Sequence, residues 1–240
     1  MPTALVTGAA GFAGSHLVEY LCSRGDLEVA AQMRPGRGWP TATSRPVRVL
    51  EADLLDPPAV RRIVEDARPE YVFHLAGFAS PSGSLRAPEA AFTGNVSTQL
   101  HLLNAVRERR PSARVLVVGS GDEYGLVYPH ELPIGEEQPF RPTSPYAVSK
   151  IAQEMLGYQA FIAYGLPVIR VRPFNHIGPR QSADFVTGAF ARQIALVEAG
   201  AQEPVISVGN LDARRDFTDV RDVVRAYWLA ISAGTPGDVY

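Results

Sequence analysis

The first fifteen residues confine this chain to a narrow set of folds. Thr3-Ala-Leu-Val-Thr7 is a short apolar run of the kind that forms a buried strand. Gly8, Gly11 and Gly14 follow at three-residue spacing, and Ser15 to Cys22 is apolar at helical spacing, stopped by Gly25. Strand, glycine turn and helix in that order gather backbone amides and a helix N-terminus around an anion. The pattern is Gly-x-x-Gly-x-x-Gly in place of the commoner Gly-x-Gly-x-x-Gly, and a glycine-rich turn alone can be purely structural. Its place between an N-terminal strand and a helix makes it a pyrophosphate cradle, with Phe12 and Ala13 between the glycines.

The alternation then continues. Glu28 to Met33 and Val47 to Glu51 read as strands, Pro57 to Asp66 as a helix, Tyr71 to Leu75 as a strand and Glu89 to Arg109 as one long helix. Arg114 to Gly119 (strand), Tyr146 to Tyr164 (helix), Val168 to Arg172 (strand), Thr187 to Ala199 (helix) and a helix capped by Asp219 and running through Ile231 complete the pattern. Such a series predicts an α/β fold, a doubly wound parallel sheet of the Rossmann type. Residues 1–173, with returns from 208–233, are expected to form the dinucleotide-binding domain, and 174–207 with 234–240 a smaller lobe. Pro35 to Pro46 reads as a surface loop, and Pro129 to Pro145, with five prolines, as a long connection. Pro236-Gly-Asp-Val-Tyr240 reads as a turn into a strand without continuation, so the C-terminal lobe is expected to be truncated.

Composition narrows the partners. A formal charge of -2 and a pI near 6.2 provide no basic field for nucleic acid or an anionic membrane. No segment reaches the roughly 18 apolar residues of a membrane helix, and the single cysteine, Cys22, fits a reducing compartment, so a cytoplasmic protein is expected. His16, His74, His101, His130 and His176 lack the spacing of a zinc set, and no metal site is expected. Asp216, Asp219 and Asp222 read as caps and first-turn charges.

Tyr146 and Lys150 stand four apart on one helical face. A phenol beside an ammonium can protonate a carbonyl oxygen, because the cation stabilises the phenolate. Ser120 follows a buried strand and so projects from the carboxyl edge of the sheet, where it can hydrogen-bond the same carbonyl. At the end of the second strand Met33 and Arg34, with Arg37 behind, take the place of an acidic ribose-binding residue, which favours NADP(H) and leaves NAD(H) open.

Together, the Thr7 to Gly14 turn, Asp53-Leu54, His74-Leu75-Ala76-Gly77, Asn95, Ser120, Tyr146 and Lys150 resemble the extended short-chain dehydrogenase/reductase family along the whole chain. The resemblance implies a nicotinamide cofactor bound by Gly8, Gly11, Phe12, Ala13, Gly14, Arg34, Asp53, Leu54, Leu75, Ala76, Gly77, Asn95, Tyr146, Lys150 and Pro173. Val171-Arg-Pro-Phe-Asn-His-Ile-Gly-Pro179, Asp184-Phe-Val-Thr187 and the run from Val208 to Asp222 are similar to its GDP-sugar branch. That implies a GDP-sugar substrate, with Asn175, His176 and Arg215 near diphosphate and sugar, and Phe185, Val186 and Arg192 near guanine. For Arg215 an exposed salt bridge is the rival reading.

Within that branch two activities compete. Reduction of the C4 ketone of a GDP-4-keto-6-deoxy sugar to GDP-D-rhamnose needs only Ser120, Tyr146 and Lys150. A 4,6-dehydratase needs a further acid and base; in such enzymes a glutamate matches Asp122 and a second polar residue matches Gly121. The shorter aspartate and the glycine favour the reductase. A catalytically silent cofactor-binding regulator is the alternative from another class. By resemblance, the helices at Glu89 to Arg109 and Tyr146 to Tyr164 would pair in a homodimer through a four-helix bundle, although Leu100, Leu103, Leu156 and Phe161 could equally face the sheet.

Overall fold

The computed structural model describes residues 1–39 and 42–240; Pro40 and Thr41, inside the loop expected over Pro35 to Pro46, lie outside the described residues. The first half comprises β1 (Thr3–Thr7), α1 (Phe12–Arg24), β2 (Glu28–Met33), β3 (Arg48–Glu51), α2 (Pro57–Ala67) and β4 (Tyr71–His74). It continues with α3 (Pro81–Arg86), α4 (Pro88–Phe92), α5 (Thr98–Arg109), β5 (Arg114–Val118), α6 (Pro145–Tyr164) and β6 (Val168–Val171). These six strands form one parallel sheet in the order β3-β2-β1-β4-β5-β6. Strand order reverses between β1 and β4, and the crevice at their carboxyl ends is where such sheets bind ligands.

Successive residues of each strand serve opposite layers. Val6, Phe73, Leu116 and Ile169 pack under Leu17 and Leu21 of α1 and under Val224 and Ile231 of α8 (Val220–Ala233). Leu5, Val72, Val115 and Val117 pack under Val60 and Val64 of α2 and Leu102 and Val106 of α5. Each fully buried Leu or Phe contributes roughly 2–3 kcal/mol, so both helix layers are strongly held. Helix ends follow local chemistry: Ser144 caps α6 by accepting the Ala147 N–H at 3.1 Å, with Pro145 at the first helical position. Asp219 caps α8 through the Arg221 N–H at 2.8 Å, as its spacing predicted.

Three elements depart from expectation. The helix expected over Glu89 to Arg109 is split into α4, a wide π-type turn at Thr93–Ser97 and α5. Asn95, fully buried in that turn, bonds Phe78 N–H and Ser149 Oγ at once, which a regular turn would not offer. A short parallel pair, β7 (Asn175–Ile177) with β8 (Phe217–Asp219), went unforeseen because three half-exposed residues carry no alternation. Finally, Gly237 to Tyr240 hydrogen-bonds along β6: Arg170 N–H to Asp238 O at 3.1 Å, Tyr240 N–H to Arg170 O at 3.1 Å and Arg172 N–H to Tyr240 O at 2.9 Å. These last residues, expected with the small lobe, thus lie along the main sheet. The lobe's helix α7 (Val186–Glu198) has no buried residue.

Candidate active site

A cleft of about 1350 Å³ opens over the carboxyl ends of β1, β2, β4 and β5. Its floor is the glycine turn. Gly8 has φ +66°, and a Cβ there would lie 2.7 Å from the Ala76 backbone, so only glycine lets the turn approach the β4 end. Gly11 begins α1 without a side-chain cap or an acidic residue in the first turn. The first-turn amides therefore face the cleft as anion donors, as a pyrophosphate requires. Beneath the turn, buried Gln32 accepts the Gly8 N–H at 3.0 Å and donates to Ala52 O at 2.8 Å, tying it to β2 and β3.

At the rim beyond β2 stand Arg34 and Arg37, both exposed and without ion partners among the described residues. Asp53, exposed, accepts the Leu55 N–H at 2.9 Å, and it lines the cleft with Leu54, Leu75, Ala76 and Gly77. Of the residues expected for a nicotinamide dinucleotide, all but Asn95 line this one cleft.

Ser120 lies just past β5, in the capping box of a 3₁₀ turn at Gly121–Glu123: its Oγ accepts the Asp122 N–H at 3.2 Å and its own N–H donates to Glu123 Oε1 at 2.8 Å. Tyr146, in the first turn of α6, lines the same space. Burial pushes its phenol up to about 12, the Ser120 hydroxyl hydrogen bond pulls the other way, and Asp122 and Glu123 push up further. Lys150 is buried one turn on, donating to the Val118 carbonyl and to Gln153 Oε1. Burial pulls its ammonium down to about 8 against the raising effect of Glu123 and Glu154. The lysine charge is therefore engaged by the sheet edge, and in this state desolvation, not the lysine, dominates the phenol. Asp122 faces the open cleft; the surrounding walls raise its carboxyl and Arg215 opposes them.

On the far wall, Pro173, Asn175, His176, Phe185, Val186 and Arg215 converge. Asn175 donates to Asp216 O at 3.3 Å, joining β7 to β8. His176 stacks on Phe12 with centroids 5.8 Å apart at 11°, so the substrate-side strand rests on the phosphate turn. Burial lowers the imidazole's pKa, opposed by the Phe174 carbonyl.

Two expected residues do not reach the cleft. Asn95 lies beneath it, both ends of its amide bonded. Arg192 is exposed on α7, six residues past Val186 and so about 240° round the helix from it. Conversely, Gln32 and Glu123 were missed; the Ser-x-x-Glu box was legible, whereas a glutamine inside a strand carries no signal. Phe174 was also missed: a Cβ on Gly121 would meet its ring at 2.8 Å. Among the described residues no His, Cys, Asp and Glu group could hold a metal ion, and no helix is long and apolar enough to cross a membrane.

A dinucleotide cradle facing a serine, a tyrosine and a lysine at the switch point is the arrangement of the extended short-chain dehydrogenases and reductases. The family profile for GDP-mannose 4,6 dehydratase matches residues 5–240, and the chain belongs to that family. It is 41% identical over 98% of its length to GDP-6-deoxy-D-mannose reductase from Pseudomonas aeruginosa, of which it spans 72%. Among solved structures, the NADPH complex of RMD from P. aeruginosa superimposes with a TM-score of 0.87 at 39% identity, over 100% of this chain and 75% of that one. UDP-glucose 4-epimerase from Thermus thermophilus, in complex with NAD, gives 0.86 at 34% identity over 99% and 76%. The chain is an enzyme of this oxidoreductase type, with a nicotinamide dinucleotide as its cofactor.

Proposed function

We propose that the enzyme reduces the C4 ketone of a GDP-4-keto-6-deoxy sugar, giving GDP-D-rhamnose. The observation that carries this reading is the Phe174 ring against Gly121. It fills the space in which a 4,6-dehydratase of this family would carry its second polar side chain. With Asp122 a methylene shorter than the dehydratase glutamate, elimination lacks both extra groups, and misplacement by about 1 Å costs on the order of a hundredfold in rate.

Reduction asks less of the chain. The bound nicotinamide supplies the hydride. Tyr146, held protonated by burial, gives its proton to the C4 oxygen as charge develops there. Ser120 hydrogen-bonds that oxygen beside it. Lys150 reaches the cleft floor, where its charge favours the phenolate left by proton transfer and its N–H groups can turn to a ribose. Arg215 offers its fork of donors to the diphosphate, and Phe185 and Val186 pack the base. Arg34 and Arg37, without ion partners among the described residues, suit a 2′-phosphate, which supports NADP(H) over NAD(H).

One observation favours the dehydratase instead: a raised Asp122 carboxyl in the cleft could act as an acid. Supplying NADPH with GDP-4-keto-6-deoxymannose, and GDP-mannose with NADP in parallel, separates the two. Oxidation of NADPH in the first reaction and silence in the second is expected; turnover of GDP-mannose would refute the reductase. Tyr146→Phe should lose most reduction while retaining cofactor affinity.

We also infer a homodimer across α5 and α6. Leu100, Val148, Met155 and Ile162 on their outer faces are exposed, and Phe92 beside them is too. Of Leu100, Leu103, Leu156 and Phe161, Leu103 is buried, Leu156 and Phe161 pack on the core, and only Leu100 faces outward. The lone, buried Cys22 suits a reducing compartment, and we place the enzyme in the cytoplasm.

A further inference from the structure

We propose that Glu123 is a positioning residue for Ser120, holding its backbone through a carboxyl group that shares one proton with Glu154. The proposal rests on the reading of Ser120 as the group that meets the substrate carbonyl. It concerns what fixes that serine, whose hydroxyl accepts the Asp122 N–H and keeps its own proton for a substrate oxygen.

Glu123 and Glu154 both have 0% exposure, and their carboxyls adjoin beneath the Ser120 turn. Glu154 stands one turn beyond Lys150 on α6. Its oxygens accept from Arg172 Nε and Nη2, each at 2.7 Å, and from Arg170 Nη1 at 3.0 Å. Burial raises its carboxyl, but the two guanidiniums more than offset this and keep it ionised. Glu123 is placed differently. Its Oε1 accepts the Ser120 N–H at 2.8 Å, while its Oε2 has no donor among the described residues.

Two cations face Glu123, and neither serves it. Arg172 Nε lies 3.7 Å away with its proton directed to Glu154, and Arg172 Nη1 serves Tyr124 Oη and Glu136 O. Lys150 donates to Val118 and Gln153. An ionised oxygen in that position would be buried, unbonded and next to a second carboxylate, an arrangement that does not persist. A proton on Oε2, donated to Glu154, satisfies both groups, as in other buried acid pairs that hold one proton between them. Burial and Glu154 both drive Glu123 toward that protonated form. The neutral acid then links Ser120 to α6, the helix that carries Tyr146 and Lys150.

A protonated glutamate has the shape and hydrogen-bond pattern of glutamine: one oxygen to accept from Ser120 and one donor for Glu154. The test compares the parent enzyme with Glu123→Gln and Glu123→Met by NADPH titration, by kcat and KM for the 4-keto sugar, and by the infrared carbonyl stretch of a protonated carboxylic acid at pH 7. Glu123→Gln should keep kcat within about threefold and lose one infrared band. Glu123→Met should lose at least about tenfold in kcat with NADPH affinity unchanged, since the serine is loosened and the cofactor wall is not. Equal damage in the two variants, normal turnover in Glu123→Met, or an infrared band that survives in Glu123→Gln would overturn the proposal. If Glu123→Met does not fold, the glutamine variant and its spectrum decide alone. A parent enzyme inactive on the keto sugar would refute the substrate assignment, and the infrared band would still decide where the proton lies.

Discussion

His74 should make the fold sensitive to mild acid. The ring closes β4 at 1% exposure, with Nδ1 2.8 Å from Thr7 Oγ1 and Nε2 without a partner among the described residues. Thr7 Oγ1 also accepts the Ala76 N–H at 3.3 Å and donates to Phe73 O at 3.4 Å, so the ring is held in a network that closes the end of β4. Burial first, and the charge of Lys150 second, hold the imidazolium pKa down at about 3 against an ordinary 6.5. Between those values the unfolded chain binds a proton that the native chain refuses, so native stability falls as pH drops through that window and is flat above it. From pH 8 to pH 5 the loss is about 2 kcal/mol, 1.5 units at roughly 1.36 kcal/mol each. With a urea m value of roughly 3–4 kcal/mol per molar for a chain of this size, the midpoint moves down by about 0.6 M. Urea unfolding of the parent and of His74→Asn at both pH values isolates the effect, because other acid-sensitive groups are common to the two proteins. Equal pH dependence in both, or an NMR titration of His74 near pH 6.5, would refute the reasoning.

The other predictions address the cleft. Gly121→Ser should force the Phe174 ring aside, costing about 1–3 kcal/mol as overpacking and impairing substrate turnover more than NADPH affinity; an unchanged melting curve and KM would show that the ring yields freely. Replacing Arg34 and Arg37 together with alanine should weaken NADPH binding and leave NADH binding nearly unaffected in parallel fluorescence titrations, with equal losses contradicting a 2′-phosphate role. Gly8→Ala should abolish binding of both cofactors, because Cβ would lie 2.7 Å from Ala76 at a φ of +66°. Ile162→Asp, at 63% exposure on α6, should give monomers in analytical ultracentrifugation while the circular dichroism of the fold persists.

What was legible in the sequence was what repeats. Strands such as Tyr71-Val-Phe-His74 announce themselves as apolar runs, and Gly25 and Asp219 mark helix ends by their own chemistry, so the doubly wound order could be read from spacing alone. The candidate catalytic pair was legible for a related reason: Tyr146 and Lys150 are bound to one helix turn. Long-range partnership was not. Asn95 has the composition of a cofactor ligand, yet its partners, Phe78 and Ser149, are 17 and 54 residues away and take its amide out of the cleft. Likewise nothing local tells that Glu123 will meet Glu154, or that the last three residues will run beside Arg170.

The turn at Ser120-Gly121-Asp122-Glu123 is held from two sides. From above, Phe174 packs on Gly121 and stacks on Tyr124 at 6.2 Å and 16°, so a side chain there would have to displace the ring. From below, Glu123 holds the Ser120 N–H and leans on Glu154 and its arginines. Only Ser120 and Asp122 are left facing the cleft, and Ser120 is fixed at both its amide and its hydroxyl. A turn clamped in this way presents one oriented hydroxyl and one short carboxylate, Asp122. Ketone reduction needs a single oriented bond beside the phenol; removal of a C5 proton and a C6 hydroxyl would need a second polar side chain at Gly121, where the Phe174 ring stands, and a longer acid than Asp122. The preference for reduction therefore resides in the packing around Gly121 as much as in the identity of any catalytic residue.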